Sequence, residues 1–209
     1  MGFLKKMTGG TDKKLLENGM PGRGLIMEVK AQSTTMRVGN KLVERVCTFR
    51  VQVTLDNVPT YETTCKQRVP EVYLPQLSGT NAVVAVRANP VDHNEIVLDL
   101  EHEPPEVTIA RDPNTMTAAQ ILETGRAAKA VIVQFEPVGM RNPEGVEIQA
   151  FMLTVMPDGA DPYQIQVGNA TPPEALPFLF PGSRVPVRVG AEPNAVVIDW
   201  QQAMKDQAA

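Results

Sequence analysis

The block Leu15-Leu16-Glu17-Asn18-Gly19 recurs as Ile121-Leu122-Glu123-Thr124-Gly125, 106 positions later. At the same offset, Gly24-Leu25-Ile26-Met27-Glu28-Val29 meets Ala130-Val131-Ile132-Val133-Gln134-Phe135. Further on, Tyr61 matches Tyr163 and Leu74-Pro75 matches Leu176-Pro177. Val84-Ala85-Val86 then matches Val187-Arg188-Val189, and Ile96-Val97-Leu98-Asp99 matches Val196-Val197-Ile198-Asp199. Blocks that keep one order along the chain imply a tandem duplication. Each copy must then bury its own modest core, which limits it to a small domain.

The expected division is an N-terminal arm over 1–13, a first β-domain over 14–101, a linker over 102–119, a second β-domain over 120–201 and a tail over 202–209. The linker opens on His102-Glu103-Pro104-Pro105-Glu106, where proline removes amide donors and fixes φ. Each copy starts with a short helix. Thr11 or Asp12 caps the first and Gly19 stops it; Thr115 or Thr117 caps the second and Gly125 stops it.

Five strands follow in each copy. In the first they are expected at 24–33, 44–55, 61–67, 81–87 and 95–100. In the second they are expected at 129–136, 146–156, 163–167, 184–189 and 195–200. Val38-Gly39-Asn40-Lys41 and Asp158-Gly159 read as turns. So does Gly19-Met20-Pro21-Gly22-Arg23-Gly24, which follows a helix and so has the wrong order for a phosphate cradle. In the second strand Cys47, Phe49, Val51, Val53 and Leu55 share one parity and should face the core together. The Pro-containing stretches 69–77 and 172–181 do not alternate and read as helical turns or ordered loops. Three strands, such a connection, then two strands is the order of OB-folds. The expected fold is mainly β: a tandem duplication of a small five- to six-stranded OB-like β-barrel, each preceded by a short helix. A β-sandwich is the alternative.

The segments Leu15 to Ile26 (Leu-Leu-x-x-Gly-x-Pro-Gly-Arg-Gly-x-Ile) and Arg184 to Pro193 (Arg-Val-x-Val-x-x-x-x-x-Pro) resemble a group of uncharacterised bacterial proteins, many of them actinobacterial. Those proteins repeat a small β-domain that opens on a Leu-Leu-x-x-Gly turn. The resemblance covers most of both copies and rests on structural motifs. It implies the repeated β-domain and carries no catalytic residues to transfer.

Charge narrows the function classes. The net charge is −4, and residues 102–209 hold seven basic and thirteen acidic side chains. Neither half is basic, so phosphate-driven binding to nucleic acid is disfavoured. Tyr61 and Tyr163 are too sparse for a base-stacking platform and read as core or rim residues. His93 and His102 lie apart from Cys47 and Cys65, with no zinc-ligand spacing. Ser33, Ser78 and Ser183 sit at strand ends or turns, outside any nucleophile elbow. Asp99 and Asp199 end equivalent apolar strands and should bind a nearby amide or arginine.

These observations point to a non-enzymatic protein with no catalytic or metal-binding residues and no cofactor. The expected role is a cytoplasmic interaction or scaffold protein with a protein partner or self-association. The alternatives are an accessory subunit docked through the N-terminal arm and an OB-like single-stranded nucleic-acid binder. Candidate partner contacts are Phe3 and Leu4 in the cationic start, Tyr73 in the first connection, and Phe178 and Phe180 in the second. Residues 1–7 offer a peripheral membrane contact, with no span. Phe178 to Phe180 are expected to bury against the other domain or another subunit, or to plug their own barrel.

Overall fold

The computed structural model describes residues 10–37, 43–79, 82–111, 115–192 and 194–208. The chain divides into two compact units, Met1–Ala110 and Arg111–Ala209. Both are mainly β.

The first unit begins with α1 (Lys13–Asn18), where the Asp12 carboxylate accepts from the Lys14 and Leu15 amides. It continues through β1 (Met20–Arg37), β2 (Val43–Leu55) and β3 (Tyr61–Pro70). A 3-10 turn at Glu71–Tyr73 runs into α2 (Leu74–Leu77), followed by β4 (Val83–Ala88), β5 (Ile96–Asp99) and a two-residue β6 (Val107–Thr108). Five antiparallel strands take the order β3-β2-β1-β4-β5. The sheet curls until β3 and β5 lie side by side, nearly closing a barrel. The expected turn at 38–41 lies outside the described residues.

The core follows from the alternation in β2. Cys47, Phe49, Val51, Val53 and Leu55 are all fully buried, as their shared parity predicts. Ile26, Cys65, Val69, Leu77, Val86, Ala88, Ile96 and Leu98 complete the cluster. The glycine-rich start is not a turn. Met20 to Gly24 is the first part of β1, pairing with both β2 and β4. Its glycines are required by crowding: a Cβ on Gly22 would sit 2.4 Å from Leu55 Cδ2, and one on Gly24 would sit 2.6 Å from Val86 Cγ1. The inward side chains of the two flanking strands, Leu55 and Val51 on β2 and Val86 on β4, lean over these positions and leave no room for a Cβ. Gly19 ends α1 with extended backbone, and a Cβ there would meet the Leu15 carbonyl oxygen at 2.5 Å, so crowding selects glycine here too.

The expected linker is partly structured. Arg23 donates to the carbonyls of Pro104 and Pro105 at 3.2 and 2.9 Å. Thr108 is tied to the β2–β3 turn through the Asp56 carboxylate and the Asn57 amide.

The second unit runs α3 (Ala118–Thr124), β7 (Arg126–Arg141), β8 (Glu147–Pro157), β9 (Tyr163–Ala170), a 3-10 helix at Pro173–Phe178, β10 (Arg184–Val189) and β11 (Val196–Ile198). Thr117 and Gln120 form a reciprocal capping box on α3. The strand order is β9-β8-β7-β10-β11, the same path as in the first unit. The bulge that breaks the β1–β2 ladder between Ile26 and Glu28 reappears in β7–β8 between Ile132 and Gln134. The ladders place Val86 opposite Gly22 and Val187 opposite Ala128. Val86 and Val187 are therefore the equivalent pair, two positions away from the match that sequence similarity suggests. The expected tail at 202–209 and the end of the fifth strand are instead one helix, α4 (Trp200–Ala208). Asp199 accepts from the Gln202 amide at its start, and Trp200 packs on Phe151 with ring centroids 5.9 Å apart.

Candidate functional site

The first polar cluster closes the barrel. Gln67, on β3, faces inward among buried apolar residues. Its side-chain amide donates to the Leu98 carbonyl and accepts from the Leu98 amide, both at 2.8 Å. One side chain thus stands in for a backbone ladder between β3 and β5. Two further bonds bring this seam together: the Tyr61 hydroxyl donates to the His93 carbonyl at 2.7 Å, and the Thr63 hydroxyl to that of Asn94 at 2.9 Å. Burial, then the nearby Asp92 charge, pushes the Tyr61 phenol up to about 12.

The second unit uses the same device with a shorter arm. Asn169, on β9, accepts from the Ile198 amide at 3.0 Å and donates to the Val196 carbonyl at 3.4 Å. Tyr163 occupies the place of Tyr61, since both stand opposite equivalent valines, Val53 and Val155. Ile165 replaces Thr63 and has no hydroxyl to donate.

A second polar cluster gathers at the end of β5. The Asp99 carboxylate is 2 % exposed and receives the Arg87 guanidinium at 3.3 Å, His102 Nδ1 at 2.9 Å and the Glu101 amide at 3.3 Å. Burial pushes this carboxyl up, but the bonds from His102, Glu101 and Arg87 outweigh it and hold it below its ordinary value. Arg188 and Asp199 repeat the pair in the second unit at 3.8 Å. Both aspartates are anchors at strand ends, as their position implies. His102, expected only as a residue beside the linker prolines, is joined to Asp99. Tyr73, Leu77, Val83, Leu100 and Pro104 meet Asp99 and His102 around a shallow groove of about 250 Å³.

The thiols are packing groups. Cys47 and Cys65 are unlinked and buried, and desolvation pushes Cys65 up to about 12. Among the described residues, no three metal-ligating side chains gather, and no helix is long and apolar enough to cross a membrane.

Of the candidate partner contacts, Phe3 and Leu4 lie outside the described residues. Tyr73 is exposed on the 3-10 turn, next to exposed Val72. The backbone of Phe178 ends the second 3-10 helix, while its side chain lies outside the described ones. Phe180 is 62 % exposed. Leu179, between them, enters the core of its own unit, as Leu77 does in the first. The loop therefore sinks one residue into the core of its own unit and displays another.

The outer sheet faces differ in charge. In the first unit Glu28, Arg50 and Glu62 form ion pairs across β1, β2 and β3, with Arg50 Nη1 3.0 Å from Glu62 Oε2. Arg68 lies 3.8 Å from Glu44 on the same sheet. In the second unit the corresponding face carries Gln134, Met152 and Gln166 in one row and Arg184, Val131, Thr154 and Gln164 in the next, with Glu136 and Lys129 on either side. Comparison with protein-family models and with curated proteins yields no match for this chain.

Proposed function

We propose that the chain is a non-catalytic interaction or scaffold protein built from two repeats of one OB-like barrel, working in the cytoplasm. The circular strand path supports the OB-like reading: β5 returns beside β3, and a helical turn joins the third strand to the fourth. The repeat is supported by the shared strand order, the matched bulge, the matched Arg–Asp pairs and the two side-chain seams.

The observation that carries the interaction reading is the pair of 3-10 connections. Each buries one leucine and exposes neighbouring large apolar residues, Val72 and Tyr73 in the first and Leu176 and Phe180 in the second. Apolar side chains displayed by the same connection in both units, at different positions within it, fit protein contacts better than solvation. The Gln67, Asn169 and Asp99 side chains, by contrast, are bonded to groups of their own unit.

The test is native co-purification with the full chain and with a Val72→Ser/Tyr73→Ser/Leu176→Ser/Phe180→Ser variant. A complex retained by the wild type and lost by a folded variant supports the reading. A complex indifferent to these residues, or salt-dependent binding to single-stranded nucleic acid, overturns it.

A further inference from the structure

The second unit covers part of its sheet with its own chain. After β11, α4 packs on β10 and buries Ala203. The helix starts where the Asp199 amide donates to the Pro186 carbonyl. In the first unit Asp99 pairs with Ala85 at the equivalent place, since Ala85 stands opposite Arg23 as Pro186 stands opposite Lys129. There the chain runs on from Asp99 to Ala110 without a helix. What remains is the groove of about 250 Å³ lined by Tyr73, Leu77, Val83, Leu100 and Pro104, with Tyr73 and Val83 exposed. Leu100, His102 and Pro104 line it from one strap, and the exposed Glu101 and Glu103 alternate with them. The basic side chains nearby are engaged: Arg87 and His102 hold Asp99, and Arg23 donates to the carbonyls of Pro104 and Pro105. The groove is therefore apolar within and acidic along the strap.

We propose that the chain's own N-terminal arm occupies this groove, with Phe3 and Leu4 on the apolar lining and Lys5 and Lys6 beside Glu101 and Glu103. The arm presents two apolar and then two basic residues in succession, the complement of the groove. Its attachment point is close. α1 packs on β4 and β5, and both strands line the groove. Gly19, at the end of α1, lies so near Arg87 that an added Cβ would be 2.9 Å from the Arg87 Cβ. The segment from Phe3 to Gly10 spans about 23 Å when extended, whereas α1 is about 9 Å long. It can run back along the helix to Ala85 and Asp99. A short tether holds such a segment at an effective concentration in the millimolar range, so it outcompetes the same segment of a second copy.

The inference goes beyond the interaction reading, and a failed co-purification would leave its readout unchanged. Amide resonances of Val83, Leu100 and His102 in the full chain should differ from those of a chain lacking residues 1–9. Phe3→Ser/Leu4→Ser should move them to the truncated positions. Lys5→Glu/Lys6→Glu should move them the same way. Adding Glu101→Lys/Glu103→Lys to that variant should restore Val83, which adjoins none of the four in sequence. The wild-type positions should survive an about tenfold dilution, because the contact lies within one chain. Should truncation disturb folding, the point variants carry the comparison. Groove amides that coincide in wild type and variants overturn the inference. So do shifts that fade on dilution, which would assign the arm to a second copy.

Discussion

Single side chains decide much of this structure. Replacing Gln67 with Ala strands both backbone groups of Leu98 in a buried seam, at a cost of roughly 2–3 kcal/mol. Urea unfolding of Gln67→Ala should show a lower midpoint for the first unit with an unchanged slope. Asn169→Ala should lose less, because one of its two bonds is already long at 3.4 Å. Asp99 adds a pH dependence. Its carboxyl is held below the ordinary value of 3.8 in the folded chain. It therefore stabilises the fold above that value, and the contribution is lost as pH falls through the lowered one. Thermal melts of the wild type should weaken from about pH 4 downward, and Asp99→Asn should flatten that part of the profile. The seam had a sequence signal: Gln67 has the parity of Cys65 and Val69, and Asn169 that of Val167, so each is a polar residue in an inward row. Its partner, 31 residues away in the case of Leu98, depends on how the sheet curls, which no local pattern records.

At the scale of elements, the caps and the parity of β2 were legible because they rest on short-range rules. Asp12 and Thr117 cap as oxygen-bearing side chains before helical runs do. The glycine cluster misleads because glycine serves two needs that look alike in sequence. A turn requires freedom in φ, whereas Gly22 and Gly24 yield space to Leu55, Val86 and Val51. Alanines stand at the equivalent positions of β7, Ala128 and Ala130, so the second unit tolerates a methyl where the first does not. Gly24→Ala should therefore destabilise the first unit by about 1–3 kcal/mol through overcrowding. Ala130→Gly should cost less, by deleting one methyl and loosening a strand. Denaturant midpoints of the two variants give the comparison directly. The α4 helix escaped notice because Trp200 reads equally well as the end of an apolar strand. Its indole N–H reaches the Ala170 carbonyl at 2.9 Å, a contact 30 residues distant.

The whole molecule is two units, each with its own core. Trp200, the only tryptophan, reports on the second unit alone. Val51→Asp buries an unpaired charge among Phe49, Val53 and Leu55 and should unfold the first unit. Far-ultraviolet dichroism should then lose part of its β signal while tryptophan emission stays native; a joint loss would show that the units do not fold independently. The amide seams add a kinetic dimension. The Leu98 amide proton is held by a side chain, so its exchange with solvent water awaits a rotation of Gln67, not the peeling of a strand. That proton is a clock for the latch, and Ile198, behind the shorter Asn169, is a second clock. The first should tick more slowly than the second, since Gln67 holds Leu98 by two bonds of 2.8 Å whereas Asn169 holds Ile198 at 3.0 Å, and one chain then carries two latches of different tempo.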